Sequence, residues 1–342
     1  MIKYLGSKKK LLDNIYEATM DGFNGDVESV IDLFSGTSRV GNHFKQKGHR
    51  VISNDLSAYG KTLAEALVVA DKSTIEEEAQ KWIDYYNTTA GELDGYFTDT
   101  FCRQSRFFQE KNGKRVDYIR EDIEKRSFNP ILKSVLLTSL MLAADKVDST
   151  CGVQMAYLKK WAKRSENDLE MKMPLLTNES QYGASEAHQG DALEKSKSLK
   201  ADVAYLDPPY NQHSYLGNYH VWESLCKWDK PEVYGVACKR VDVKTRKSDF
   251  NRKREAVKAM ETVIDNCAAN VKRIVVSFND EGYISKQEMV DLLEKHGQTK
   301  VITIQYKRYI GSQIGIHNKK GEKVGKKGKK QNNEFIFVTD ID

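Results

Sequence analysis

The stretch Val27–Asp55, VESVIDLFSGTSRVGNHFKQKGHRVISND, decides the architecture. Its opening, VESVIDLF (Val27–Phe34), is a short apolar run that reads as a buried strand. SRVGNHFKQKG reads as a helix closed by Gly48, since glycine just past the last periodic residue is a helix stop. HRVISND (His49–Asp55) is a second buried strand. Strand, helix, strand in so short a span is a βαβ unit, and βαβ units build parallel sheets.

The pattern can be followed outward on both sides. Upstream, KKKLLDNIYEATM carries helical apolar spacing at Leu11, Leu12, Ile15 and Tyr16. Downstream, residues 57–189 show no strand pattern. AYGKTLAEALVVAD, STIEEEAQKWIDYYN, VDYIREDIEKR and NPILKSVLLTSLMLAADKV all read as helices. From residue 190 the strands resume: ADVAYLD, RIVVSFN (Arg273–Asn279), KVITIQYKRY (Lys300–Tyr309) and EFIFVTD (Glu334–Asp340). SKQEMVDLLEKHG is an amphipathic helix among them, ended by Gly297. The expected fold is therefore α/β: a mostly parallel, Rossmann-like sheet with a terminal antiparallel hairpin and a helical insertion. Residues 1–56 and 190–342 are expected to form the sheet domain and residues 57–189 the insertion.

Composition narrows the class. The chain has 342 residues, 39% hydrophobic, enough for a sizeable core. No run of about 18 apolar residues is present, so no membrane span is expected. MIKYLGSKKK has no apolar segment behind its charges and does not read as a signal peptide, which points to the cytoplasm. The five cysteines are scattered, with no metal-ligand spacing, so free thiols and no metal are expected. Net charge is only +5, but lysine and arginine concentrate in Cys238–Arg254 and in Lys319–Lys330, where seven of twelve residues are lysine. Aromatic residues interleave with basic ones in Gly95–Arg115 and Ala156–Arg164. Either a solvated surface over an aromatic core or contact with a polyanion accounts for these stretches.

Ligands of open α/β sheets bind outside the carboxyl ends of the strands. The first strand runs into DLFSGTS (Asp32–Ser38), where Gly36 allows a tight turn and close ligand approach. The second ends in Asn54-Asp55, and an acidic residue there is placed to accept hydrogen bonds from ribose hydroxyls. FSGTS is neither GxGxxG nor a P-loop, so NAD and ATP are poorly supported while a nucleoside-containing cofactor is favoured. A later strand ends in Asp207-Pro208-Pro209-Tyr210. Proline cannot sit inside a central strand, so this pair forms a rigid loop just beyond it that fixes Asp207 and Tyr210.

Taken together, the chain resembles the D12 class of adenine-specific DNA methyltransferases, the Dam-like enzymes, and the FokI-type modification enzymes in particular. The resemblance rests on YLGSK (Tyr4–Lys8), DLFSGT (Asp32–Thr37), Asn54-Asp55, GDA (Gly190–Ala192), DPPYNQHSY (Asp207–Tyr215) and SFNDEG (Ser277–Gly282), in the family's order. It departs from the family at Tyr4, often Trp, at Ser38, in place of a second glycine, and at Ala192, often aromatic.

The resemblance implies S-adenosyl-L-methionine as cofactor and double-stranded DNA as substrate. It also implies a place in a restriction–modification system, with a cognate endonuclease as partner in the system. It implies that Tyr4, Lys8, Asp32, Phe34, Ser35, Gly36 and Thr37 line the methionine end of the cofactor. Asp55 would bind the ribose, Asp191 the adenine amino group, and Asp207 both cofactor and target base. Asp207 and the Pro208 carbonyl would accept hydrogen bonds from the amine of a flipped-out adenine, Pro209 would stiffen the loop, and Tyr210 would stack on the base. Methylation of the cytosine 4-amino group, and a DNA-binding module without catalysis, are the alternatives left open.

Overall fold

The computed structural model describes residues 1–307 and 331–342. A seven-stranded sheet organises it, formed by β1 (Ser29–Asp32), β2 (Arg50–Asp55), β3 (Glu186–Gln189), β4 (Val203–Leu206), β7 (Arg273–Asn279), β8 (Thr299–Lys307) and β9 (Gln331–Asp340). The strand order is β3-β2-β1-β4-β7-β9-β8. The first five run parallel, with Ile31 opposite both Ile52 and Ala204, and β9 runs antiparallel between β7 and β8. A two-residue pair, β5 (Val233–Tyr234) and β6 (Lys239–Arg240), stands apart. The expected parallel sheet and terminal hairpin are both present. The Lys319–Lys330 stretch lies outside the described residues.

Strand composition follows from burial on both faces. Val30, Val203, Tyr205, Val275, Ile336 and Val338 face one core with Ile15 of α1 (Leu12–Met20) and Phe44 of α2 (Arg39–Gln46). Ile31, Ala204, Leu206, Ile274, Val276 and Phe337 face the other. That second core is closed by α8 (Ala192–Lys195), α11 (Ala256–Ala268) and α12 (Lys286–Leu293). Strands covered on both sides lose polar alternation and become continuous apolar runs. Gly48 closes α2 at φ 97°, and Ser285 with Glu288 forms a capping box that starts α12.

A separate helical body is built from α3 (Ala58–Ala64), α4 (Lys72–Thr88), α5 (Tyr96–Thr98), α6 (Glu110–Lys125) and α7 (Pro130–Lys146). Most of α7 is buried, and it is apolar nearly all round, as a central helix must be. Two sequence expectations are corrected here. The insertion does not extend to Gln189, because Glu186–Gln189 form edge strand β3 against β2. Its sequence, EAHQ, is half-exposed and polar, so no apolar run announced it. The helical body also recruits residues from beyond 190: Val221, Trp222 and Leu225 of α10 (His220–Lys227), and Tyr219 between it and α9 (Tyr215–Asn218), are buried in its core. Phe97, Phe101, Phe107 and Phe108 are buried in the same core, so the aromatic part of Gly95–Arg115 is packing. Among the described residues no helix is long and apolar enough to cross a membrane.

Candidate active site

The strand order reverses between β1 and β4, because the chain leaves β1 toward β2 on one side and returns to β4 on the other. At such a switch point the loops part and leave a crevice at the carboxyl edge. A cleft of about 1070 Å³ opens there. Its walls come from residues 4–8, 32–37, 54–57 and 190–192 and from Asp207, Pro209 and Ser214–Leu216, with Arg246, Ser248 and Asn251 closing the side.

Tyr4, Lys8, Asp32, Phe34, Ser35, Gly36, Thr37, Asp55, Asp191, Asp207 and Pro209 all line this cleft. Pro208 is buried behind it. Tyr210 stands outside its lining, with its ring 5.9 Å from and edge-on to Phe278. Gly282 allows this packing, since a Cβ there would lie 2.3 Å from the Phe278 ring.

The glycine loop is held from several sides. Asp55 Oδ2 accepts a hydrogen bond from the Gly36 N–H at 2.8 Å, while Oδ1 accepts from the Ser57 N–H and hydroxyl. Burial pushes the Asp55 pKa up against these bonds, which favour the charged form. Gly60 must be glycine, since a Cβ there would sit 2.6 Å from the Asp55 carboxyl carbon. Gly36 adopts φ 51°. Ser38, where the family often has glycine, is also left-handed at φ 56°. Asp32 accepts from the Gly41 N–H at 3.0 Å, and burial pushes it up to about 7. Asp191 caps α8 by accepting from the Leu193 N–H.

Tyr4 stacks at 4.5 Å on Tyr219 and at 5.1 Å on Tyr215, and its hydroxyl lies 3.3 Å from that of Tyr59. This aromatic group ties the N-terminal segment to the helix after the Pro-Pro loop. The loop is tied on its other side by Asn251, whose amide donates to the carbonyls of Asn211 and His213. Arg246 donates to buried Glu223 at 2.8 Å, and Glu223 in turn accepts from the Ala58 N–H. Local sequence reasoning missed Tyr215, Arg246 and Asn251. The two basic and polar ones sit inside a stretch whose charge reads equally as solvated surface or as contact with a polyanion.

Lys8 is nearly buried, and its ammonium lies 3.0 Å from Asp207 Oδ1 while also pairing with Glu334 Oε1. Ser277 Oγ donates to the same Glu334 oxygen at 2.9 Å. Burial would lower the Lys8 pKa, but the two carboxylates outweigh it and hold it well above the ordinary value. Burial pushes Asp207 up to about 6, with Lys8 pulling down and Glu334 pushing up.

Among the buried polar atoms of the lining, Ser35 Oγ and Asn54 Oδ1 are two that have no partner among the described residues. Buried polar groups are normally satisfied, so a donor and an acceptor left open in one cleft are the mark of a polar ligand. The glycine loop, the strand-end carboxylates and these open groups suit a nucleoside carrying an amino-acid arm.

A mostly parallel sheet with its cleft at the switch point and one antiparallel strand inserted next to an edge is a Rossmann-like methyltransferase fold. The chain belongs to the D12 class N6 adenine-specific DNA methyltransferases, whose family pattern matches residues 4–292. It is 32% identical over 329 residues to the modification methylase StsI of Streptococcus sanguinis, covering 92% of this chain and 50% of that protein. It is 29% identical over 327 residues to the type II methyltransferase M.FokI of Planomicrobium okeanokoites, covering 90% and 50%. The chain thus spans about half the length of these two relatives. The type II methyltransferase M.CviAII of Paramecium bursaria Chlorella virus 1 is 31% identical over 321 residues, which cover 93% of this chain and 95% of that protein.

Proposed function

We propose that this protein transfers a methyl group from S-adenosyl-L-methionine to the 6-amino group of an adenine flipped out of double-stranded DNA. The observation that carries this reading is the place of Asp207, at the end of β4 and in the same cleft as the glycine loop. The cofactor, when bound, supplies an electrophilic methyl on a sulfonium. Ser35, Gly36 and Thr37 hold its amino-acid end, with Tyr4 and Phe34 as apolar walls. Asp55 accepts from the ribose and Asp191 from the adenine amino group.

The target amine is a poor nucleophile because its lone pair is delocalised into the ring. Asp207 and the Pro208 carbonyl accept hydrogen bonds from its two N–H groups and favour a pyramidal nitrogen. Preorganised acceptors cost no rearrangement at the moment of reaction, and the two prolines supply that rigidity. Flipping costs a few kcal/mol, and stacking on Tyr210 returns about 1–3 kcal/mol. The helical body acts as the target-recognition region. In the cell the enzyme serves as the modification partner of a restriction endonuclease in the cytoplasm.

The test is incubation with labelled S-adenosyl-L-methionine and duplex DNA, followed by nucleoside analysis. N6-methyladenine is expected, and its loss in folded Asp207→Ala. N4-methylcytosine instead would shift the reading to the cytosine 4-amino group. DNA binding without label transfer would reduce the protein to a binding module.

A further inference from the structure

A carboxylate far along the chain shares the ammonium that serves Asp207. Glu334 sits near the start of β9, opposite Asn279 of β7 and Ile304 of β8. Because β9 runs against the parallel strands, its beginning lies at the edge where they end, beside the cleft. Ile336 and Val338, on the same face as Glu334, lie in the apolar core. Glu334 itself is 2% exposed. A carboxylate buried there is costly unless it is paired and hydrogen-bonded. It has both kinds of partner, the Lys8 ammonium and the Ser277 hydroxyl.

We propose that Glu334 is a positioning residue of the methyl-transfer site, holding the Lys8 ammonium between two carboxylates so that Asp207 stays only partly neutralised. This rests on the reading of Asp207 as the acceptor for the target amine. Lys8 brings one positive charge and three N–H donors to two carboxylates. Bound to Asp207 alone, it would form a one-to-one pair and withdraw the lone pairs that the amine hydrogens need. Sharing with Glu334 leaves the cluster with one net negative charge and leaves Asp207 an acceptor. Ser277 fixes Glu334, so the division is set by the sheet.

The charged and titratable groups acting on Asp207 come from every element around it. They are Lys8 from the N-terminal segment, Glu334 from β9, Asp32 from β1, Tyr205 from β4, Tyr210 from the Pro-Pro loop and Tyr215 from α9. Among the described residues only Lys8 of this group is cationic, and Glu334 is the charged group that bears directly on it besides Asp207. Removing the Glu334 charge frees Lys8 for Asp207 and removes a like charge. Both changes favour ionised Asp207, so they act in the same direction.

The experiment is carbon-13 NMR titration of aspartate-labelled protein, with the Asp207 signal assigned by its disappearance in Asp207→Asn. It is paired with the pH profile of single-turnover methylation. In Glu334→Gln the Asp207 midpoint should fall by about one unit, the low end of what a neighbouring charge does. The acid limb of the rate should move down with it while the plateau rate drops severalfold. Cofactor affinity, measured by calorimetry, should stay within about twofold. Glu334→Asp keeps the charge but withdraws it from Lys8, and should move the midpoint in the same direction by less. It serves in place of Glu334→Gln if that variant does not fold. An unmoved midpoint, with only the melting temperature lowered, would make Glu334 a tie between hairpin and core and overturn the proposal. Should the wild type methylate no adenine, the functional reading fails, yet the NMR titration still decides the division of Lys8.

Discussion

Lys8→Met tests the charge arrangement through stability alone. The substitution keeps an apolar stem of similar length and removes the ammonium that lies between Asp207 and Glu334. Removing one partner of a buried pair costs about 3–5 kcal/mol, because the other charge stays buried. Here two carboxylates are left, but Asp207 keeps 21% of its side chain exposed and already titrates at about 6. The sign follows from linkage. A carboxyl raised from its unfolded value near 3.9 binds its proton more tightly in the native state. It therefore costs stability above its folded midpoint, and this cost is relieved as pH falls through that midpoint. With Lys8 gone the Asp207 midpoint climbs further, so the cost extends to higher pH. Urea unfolding at pH 8 should show a loss of about 3–5 kcal/mol relative to wild type. At pH 5, where Asp207 is protonated in the variant, the loss should shrink to about half. A penalty equal at both pH values, or below about 1 kcal/mol at pH 8, would refute the buried one-cation, two-carboxylate arrangement.

Two further outcomes are expected. Ser38→Gly should stabilise the fold by about 1 kcal/mol in urea unfolding, because it relieves a left-handed serine at roughly 1–2 kcal/mol against about 0.5–1 kcal/mol of added chain entropy. Its buried hydroxyl has no partner among the described residues that would be lost, so a destabilised variant would show that the side chain has a use. Asp55→Asn places an amide N–H₂ among three donors, from Gly36 and Ser57. Loss of a charge-assisted bond is worth about 1.5–3 kcal/mol, so S-adenosyl-L-methionine should bind at least tenfold more weakly by calorimetry. Unchanged affinity would detach the glycine loop from cofactor binding.

The parallel sheet, the terminal hairpin and the loop carboxylates were legible because each is announced locally. Buried strands are apolar runs, the first helix of the βαβ unit stops at Gly48, and Pro208-Pro209 can only lie beyond a strand, although α12 ends at Leu293, short of the expected stop at Gly297. The elements that escaped have no such signal. Strand β3 is a polar edge of four residues, held by pairing with β2 alone. The helical body reaches beyond 190 because Tyr219, Trp222 and Leu225 pack there, a long-range choice that periodicity does not specify. Lys8 was legible as a cleft residue from its motif, but its two partners were not, since the nearer in chemistry, Glu334, is the farther in sequence.

That last distance has a structural cause. In an all-parallel sheet every strand reaches the cleft with its carboxyl end, and the residues there precede loops free to diverge. An antiparallel strand reaches the same edge with its amino end, so a buried residue near its start can stand behind the cleft on a rigid element paired on both sides. Glu334 is that residue, held between β7 and β8 and bonded by Ser277. The placement lets the sheet fix a charge beside Asp207 without relying on the loops that line the cleft. It also accounts for one break in the apolar alternation of β9, Glu334 followed on the same face by Ile336 and Val338. That break is the sequence signal by which such a residue is found: an acid on the core-facing side of a strand, at the end nearest the cleft.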